Sequence, residues 1–209
     1  MQKALVEGFG TFFLVLVIGL AVIAPGAGAM APLAIGMTLM VLVYAGGPIS
    51  GGHYNPAVTL AAMMAGKCDQ KDAFSYMIAQ LAGAVVASLV VSVLKPASLA
   101  VPMQPQVVPA LLAELIFTFL LAYVVLSVST TKKSAGNSYF GLAIGSTVMA
   151  AAYAVGNISG GAFNPAVALG VTLMRLAAPG SIWIYLAANL AGGALAAKAF
   201  LATNPDRRS

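Results

Sequence analysis

Apolar positions occur along this chain as long continuous blocks, not as the single stripe of an amphipathic surface helix. Punctuated by Gly, Pro and charged residues, they predict six spans, near residues 4–24, 32–46, 73–94, 107–129, 139–155 and 182–201. A helix needs roughly 20 residues to cross the hydrocarbon layer. Two further apolar stretches, 56–65 and 165–176, are too short for that. As helices they reach only about 15 Å, half the apolar thickness. Such segments read as re-entrant or buried.

The pattern also repeats. Residues 33–60, LAIGMTLMVLVYAGGPISGGHYNPAVTL, recur as residues 142–169, LAIGSTVMAAAYAVGNISGGAFNPAVAL, without a gap and at a constant offset of 109 residues. Roughly two thirds of the paired positions are identical. Gln80-Leu81-Ala82-Gly83 returns as Asn189-Leu190-Ala191-Gly192, and Glu7 has a counterpart in Glu114 at nearly the same spacing. Repeat one covers residues 1–95 and repeat two 107–203 of a single membrane domain, 1–209. Each half holds three spans and one half-helix. Three is odd, so the second half enters the membrane from the other side. The predicted fold is therefore all-α: six transmembrane helices and two re-entrant half-helices in an inverted repeat of three plus three. Inverted repeats with interrupted helices are a recurring plan for solute pathways, with the site near the midplane.

Composition agrees. The chain is 61% hydrophobic and 7% charged, with a mean hydropathy of +0.97, whereas soluble domains carry about 25% charged residues. A bilayer supplies the missing apolar solvent. The net charge of +5 is mostly topology. With the N-terminus inside, Lys3, Lys67, Lys71, Lys132, Lys133, Lys198, Arg207 and Arg208 fall in inner segments, and only Lys95 and Arg175 in outer ones. That asymmetry places both termini in the cytoplasm and gives no support to a nucleic-acid partner. The first span is read as structural, not as a cleaved signal, because the repeat needs it. Short loops and the lack of a targeting peptide point to a prokaryotic inner membrane. One cysteine, Cys68, excludes internal disulfides and cysteine-based metal sites. Nucleotide loops, metal clusters and activated nucleophiles are missing from the pattern, so neither an enzyme nor a cofactor is expected.

The chemistry concentrates at the two short helices. Asn55 and Asn164 suit an N-cap, and Pro56 and Pro165 the first helical position, where the missing N–H costs nothing. Ala57 and Ala166 complete each Asn-Pro-Ala start. If the two helices meet end to end, their positive N-termini, each about half an elementary charge, oppose cations at mid-membrane. With the amide oxygens held by local N–H groups, the amide NH₂ groups of Asn55 and Asn164 donate to a passing water. Gly51, Gly52 and Gly160, ahead of the caps, are read as extended backbone offering carbonyls to a wet lumen, with His53 lining the inner mouth. His53 is also a candidate pH-sensitive gate; a plain hydrogen-bonded lining residue is the commoner role. Glu7 and Glu114 are intramembrane carboxylates, functional candidates by default. Their matched placement favours a structural role, accepting from the re-entrant backbone, over a proton relay.

These motifs, and His53-Tyr54-Asn55-Pro56-Ala57-Val58-Thr59-Leu60 above all, resemble the major intrinsic protein family, the aquaporins and aquaglyceroporins, over essentially the whole length. The resemblance implies a right-handed six-helix fold, a pore in every subunit, a homotetramer, and passage of water or small neutral solutes. Pore width, lining donors and half-helix dipoles are the established determinants of aquaporin selectivity, so the resemblance carries that mechanism with it. The family's outer constriction maps onto Ile35, Ala152, Gly161 and Val167. Most relatives have Arg where this chain has Val167, with aromatic residues beside it. Here the set is apolar and holds no fixed cation, which implies a wider, drier constriction and puts strict water selectivity in doubt. The glycerol branch tends to carry an Asp shortly after that Arg, and Ala168 and Leu169 do not supply it. Two other functions compete: a secondary transporter using an intramembrane Glu, and a non-conducting membrane adhesion protein.

Overall fold

The computed structural model describes residues 1–95 and 102–204. Arg207 and Arg208, counted above with the inner basic residues, lie outside the described residues. Eight α-helices follow in order: α1 Gln2–Val22, α2 Ala31–Ser50, α3 Pro56–Met64, α4 Gln70–Leu94, α5 Val107–Thr130, α6 Phe140–Ser159, α7 Pro165–Leu173 and α8 Ile182–Thr203. All but α3 and α7 are long and apolar enough to cross a membrane. Helices keep every backbone N–H and C=O paired within the segment, which hydrocarbon demands. Six crossings return the chain to the side where it began. The short α3 dips in from that side and α7 from the other.

Helix ends depart from the hydrophobic pattern in three places. The second span does not stop at residue 46 but runs through Gly46-Gly47-Pro48 to Ser50. Gly46 is there for packing: a Cβ on it would lie 1.8 Å from the Tyr54 hydroxyl. Termination falls instead to Gly51, at φ +96°, whose N–H bonds the Gly47 carbonyl at 3.0 Å. The fifth span likewise passes residue 155 and ends at Ser159, capped by Gly160 at φ +92°. The second half-helix stops at Leu173, short of residue 176. Arg175 turns left-handed there, at φ +58°, and the Leu176 carbonyl accepts from Met103 N–H at 2.9 Å.

Packing follows the repeat. α1 lies against α4 and α2, α5 against α8 and α6, and α2 crosses α6 to join the halves. Glycines set these approaches. A Cβ on Gly83 would meet Gly8 O at 2.4 Å, and one on Gly192 would meet Leu115 O at 2.6 Å. Where the halves meet, Gly36 and Gly145 face each other, each Cβ position lying 2.7 or 2.4 Å from the other's carbonyl oxygen. Small residues that let backbones touch are how helices associate where no hydrophobic effect drives them. Each half-helix is seated on the opposite repeat, α3 on α8 and α7 on α4. Gly193 allows the first of these, with Ala57 O only 2.4 Å from its Cβ position.

Candidate pore

Asn55 caps α3 through its Oδ1, which accepts from Ala57 N–H at 2.8 Å, and Asn164 caps α7, accepting from Ala166 N–H at 2.9 Å and Val167 N–H at 3.4 Å. Pro56 and Pro165 open the two helices. The amide nitrogens do something the spacing did not reveal. Asn55 Nδ2 donates to Phe163 O and Asn164 Nδ2 donates to Tyr54 O, each at 2.9 Å. The half-helix N-termini are thus tied face to face by a reciprocal pair of bonds. Each amide spends one of its two N–H groups on this lock and keeps the other.

Tyr54 and Phe163, just before the caps, sit at φ 49° and 47°. Left-handed backbone costs a non-glycine residue about 1–2 kcal/mol, so something must hold it. Glu7 and Glu114 do so. Glu7 accepts from Ser50 Oγ at 2.6 Å, His53 N–H at 3.0 Å, Tyr54 N–H at 2.6 Å and Gln80 Nε2 at 2.8 Å. Glu114 accepts from Ser159 Oγ at 2.7 Å, Ala162 N–H at 2.9 Å and Phe163 N–H at 2.7 Å. Both carboxylates are 0% exposed. The two cradles differ in detail. Gln80 Nε2 donates both to Glu7 and to Thr59 Oγ1, at 2.8 and 3.0 Å, whereas Asn189, beside Glu114, accepts through its Oδ1 from Thr118 Oγ1 at 3.0 Å. Tyr76 and Tyr185 complete each cradle by donating to Ser50 O and Ser159 O, at 2.9 and 2.7 Å.

The loop backbone is not extended as expected. Gly51, Gly52, Gly160 and Gly161 are left-handed, at φ +96°, +64°, +92° and +68°, a conformation glycine adopts without penalty. The curl turns the N–H groups of Gly52, His53 and Tyr54 toward Ser50 and Glu7. In a trans peptide N–H and C=O point in opposite directions. The carbonyls of Gly51, Gly52 and His53 therefore aim away from the carboxylate. Those of Gly160, Gly161 and Ala162 do the same opposite Glu114.

One cavity of about 770 Å³ brings these parts together. Asn55 and Asn164 both line it, as do all four mapped constriction residues, Ile35, Ala152, Gly161 and Val167, and also His53 and Gly160. Gly51 and Gly52 are not among its walls, nor are Glu7, Glu114 and Arg175. Arg175 is exposed at the end of α7, and no Lys or Arg is among the described cavity residues. The remaining walls are mostly aliphatic.

The cavity walls also include residues that the sequence pattern does not single out, among them Met103, Tyr153 and Asn157. Met103 belongs to the long connection between the repeats, where no internal copy guides the reading. It is pinned to the end of α7 by its N–H to Leu176 O at 2.9 Å and by Ala178 N–H to its own carbonyl at 3.0 Å. Its sulfur lies 3.5 Å from where a Cβ on Gly160 would be.

Known proteins share these features. The family model for the major intrinsic protein family matches residues 1–200. A protein of Lactiplantibacillus plantarum named glycerol uptake facilitator protein-like 6 is 39% identical, with 94% of this chain and 95% of that one aligned. Aquaporin NIP1-4 of Oryza sativa subsp. japonica is 33% identical over 96% of this chain and 76% of its own length. The solved structure of the aquaglyceroporin from Plasmodium falciparum superposes with a TM-score of 0.77, covering 94% of this chain and 93% of that one at 22% identity, which speaks for the fold alone. With six apolar spans, paired half-helices and these relatives, the chain belongs to the major intrinsic protein family and is a multi-pass membrane channel, not an enzyme.

Proposed function

We propose that this channel passes water and small uncharged solutes of the glycerol type, excluding ions by the facing half-helix ends and the paired asparagines. The observation that carries the reading is the reciprocal lock: Asn55 to Phe163 O and Asn164 to Tyr54 O, with both amides on one cavity. It holds two helix N-termini, each about half a positive charge, against a shared lumen. The remaining N–H of each amide is available to a solute oxygen. A water accepting from both cannot also accept a proton from its neighbour, so neutral passage does not entail proton passage. Carbonyls of Gly160, Gly161 and Ala162, aimed away from Glu114, supply acceptors along one wall, and aliphatic side chains line the rest. The relative named for glycerol uptake supports a solute larger than water, as does an outer constriction of Ile35, Ala152, Gly161 and Val167 without Arg.

Stopped-flow light scattering on proteoliposomes tests this. A channel gives flux linear in solute concentration and indifferent to a proton gradient. Saturable, gradient-driven uptake would mean a transporter, and negligible flux of every solute against a conducting control would mean an adhesion protein. The transporter reading has little to use: both carboxylates are sealed from the cavity and committed to loop N–H and hydroxyl groups. In cells the reading places both termini in the cytoplasm and the protein in a prokaryotic inner membrane, as a homotetramer. Native mass spectrometry from mild detergent should give four chains per particle; a monomer alone would overturn that part.

A further inference from the structure

The ends of α1 and α5, counterparts in the two repeats, are not capped alike. The last carbonyls of a helix need donors from outside it. α5 supplies them locally: Thr130 Oγ1 donates to Leu126 O at 2.6 Å, and Thr131 Oγ1 and Ser134 Oγ donate to Ser127 O at 3.0 and 2.9 Å. α1 cannot do this. Between Thr11 and Thr38 the chain holds no side chain that donates a hydrogen bond, and that stretch contains the end of α1 at Val22 and the whole turn into α2. Pro25, in the turn, has no N–H to give.

The donors come from another helix. Lys95, at the end of α4, donates from its ammonium to Leu20 O at 2.8 Å, to Ile23 O at 2.7 Å and to Pro25 O. An ammonium has three N–H groups, and three carbonyls take them. Bonds from a charged donor are roughly twice as strong as neutral ones. Lys95 is not itself a cavity wall, but the segment it holds is: Val22 before the turn, Gly28 and Ala29 within it, and Pro32 just after, about one helical turn ahead of Ile35.

We infer that Lys95 is a positioning residue for solute passage: its ammonium ties the turn between α1 and α2 to α4 and so fixes one wall of the pore mouth on the side opposite the termini. Packing does not hold that wall, since nothing lies within 4 Å of where a Cβ on Gly28 would be. Ala27 N–H closes the turn on Ala21 O at 2.8 Å, which shapes it without anchoring it to another helix. Without the ammonium, three carbonyls lose their donor and the turn moves over the mouth. A three-carbon polyol is obstructed there more than water is. A point charge with diverging N–H groups suits three converging carbonyls, whereas the planar fork of arginine does not.

The inference rests on the channel reading, and the two fail differently: wild-type proteoliposomes without water flux sink both, whereas the ratios below sink the inference alone. Lys95→Met keeps the stem and removes every donor. Its glycerol-to-water permeability ratio should fall at least about threefold while water flux changes less than about twofold, since each lost charged hydrogen bond shifts the turn's equilibrium by about tenfold or more. An unchanged or raised ratio, or an equal loss of both fluxes as general destabilisation gives, overturns the inference. In Lys95→Ala, added n-propylammonium replaces the missing atoms and should restore the ratio; n-propanol, equally long but uncharged, should not. No rescue, or equal rescue by both, overturns it. If the variants do not fold, hydrogen exchange in the wild type decides. Amides of residues 26–29 should exchange at least about tenfold slower than in an unstructured peptide, and exchange as fast as that peptide overturns the inference.

Discussion

Val167 is the constriction position at which the family resemblance implied an Arg. It is 4% exposed and lines the cavity in the first turn of α7. Replacing it by Arg should narrow the outer half, so that glycerol and urea flux drops more than water flux. An equal drop for all solutes would show that the position does not face the constriction. Asn164→Asp, or Asn55→Asp, puts a carboxylate where two positive helix ends converge. Cation leak should rise severalfold, because a unit charge at short range in a poorly screened site outweighs two half-charges; unchanged conductance counts against the midplane barrier. Cys68 offers a test outside the membrane. Burial, and then the charges of Asp72 and Asp69, push its thiol up to about 11. Only the thiolate reacts. Iodoacetamide labelling should therefore be slow at pH 7 and climb about tenfold per pH unit until near 11; a rate already maximal at pH 9 would contradict that environment.

Among the elements, the two re-entrant loops depend on the carboxylates beneath them. In Glu7→Ala the N–H groups of His53 and Tyr54 lose their acceptor. Each buried unpaired group costs about 1–3 kcal/mol, and the left-handed Tyr54 loses its hold. Thermal stability in detergent should fall by many degrees, and water flux should fall with it; a fully active, equally stable protein would deny the cradle its role.

For the molecule as a whole, the two repeats and the polar tips they carry were legible early. Spans are visible because hydrocarbon forces every lipid-exposed residue to be apolar and every backbone group into a helix. The inverted topology followed from an odd number of spans per repeat, and the caps from local Asn-Pro chemistry. Ends of α2, α6 and α7 were misjudged because Gly46 serves Tyr54 packing instead of termination, and because Leu176 is claimed by Met103 from a distant segment. Local sequence alone determined the element count, the half-helix starts and the matched carboxylates. Only the tertiary structure decided that Asn55 holds Phe163 while Asn164 holds Tyr54, and that Met103 reaches the cavity wall. Those contacts join residues up to 110 positions apart, and chain periodicity records only what a residue faces, not which partner meets it there.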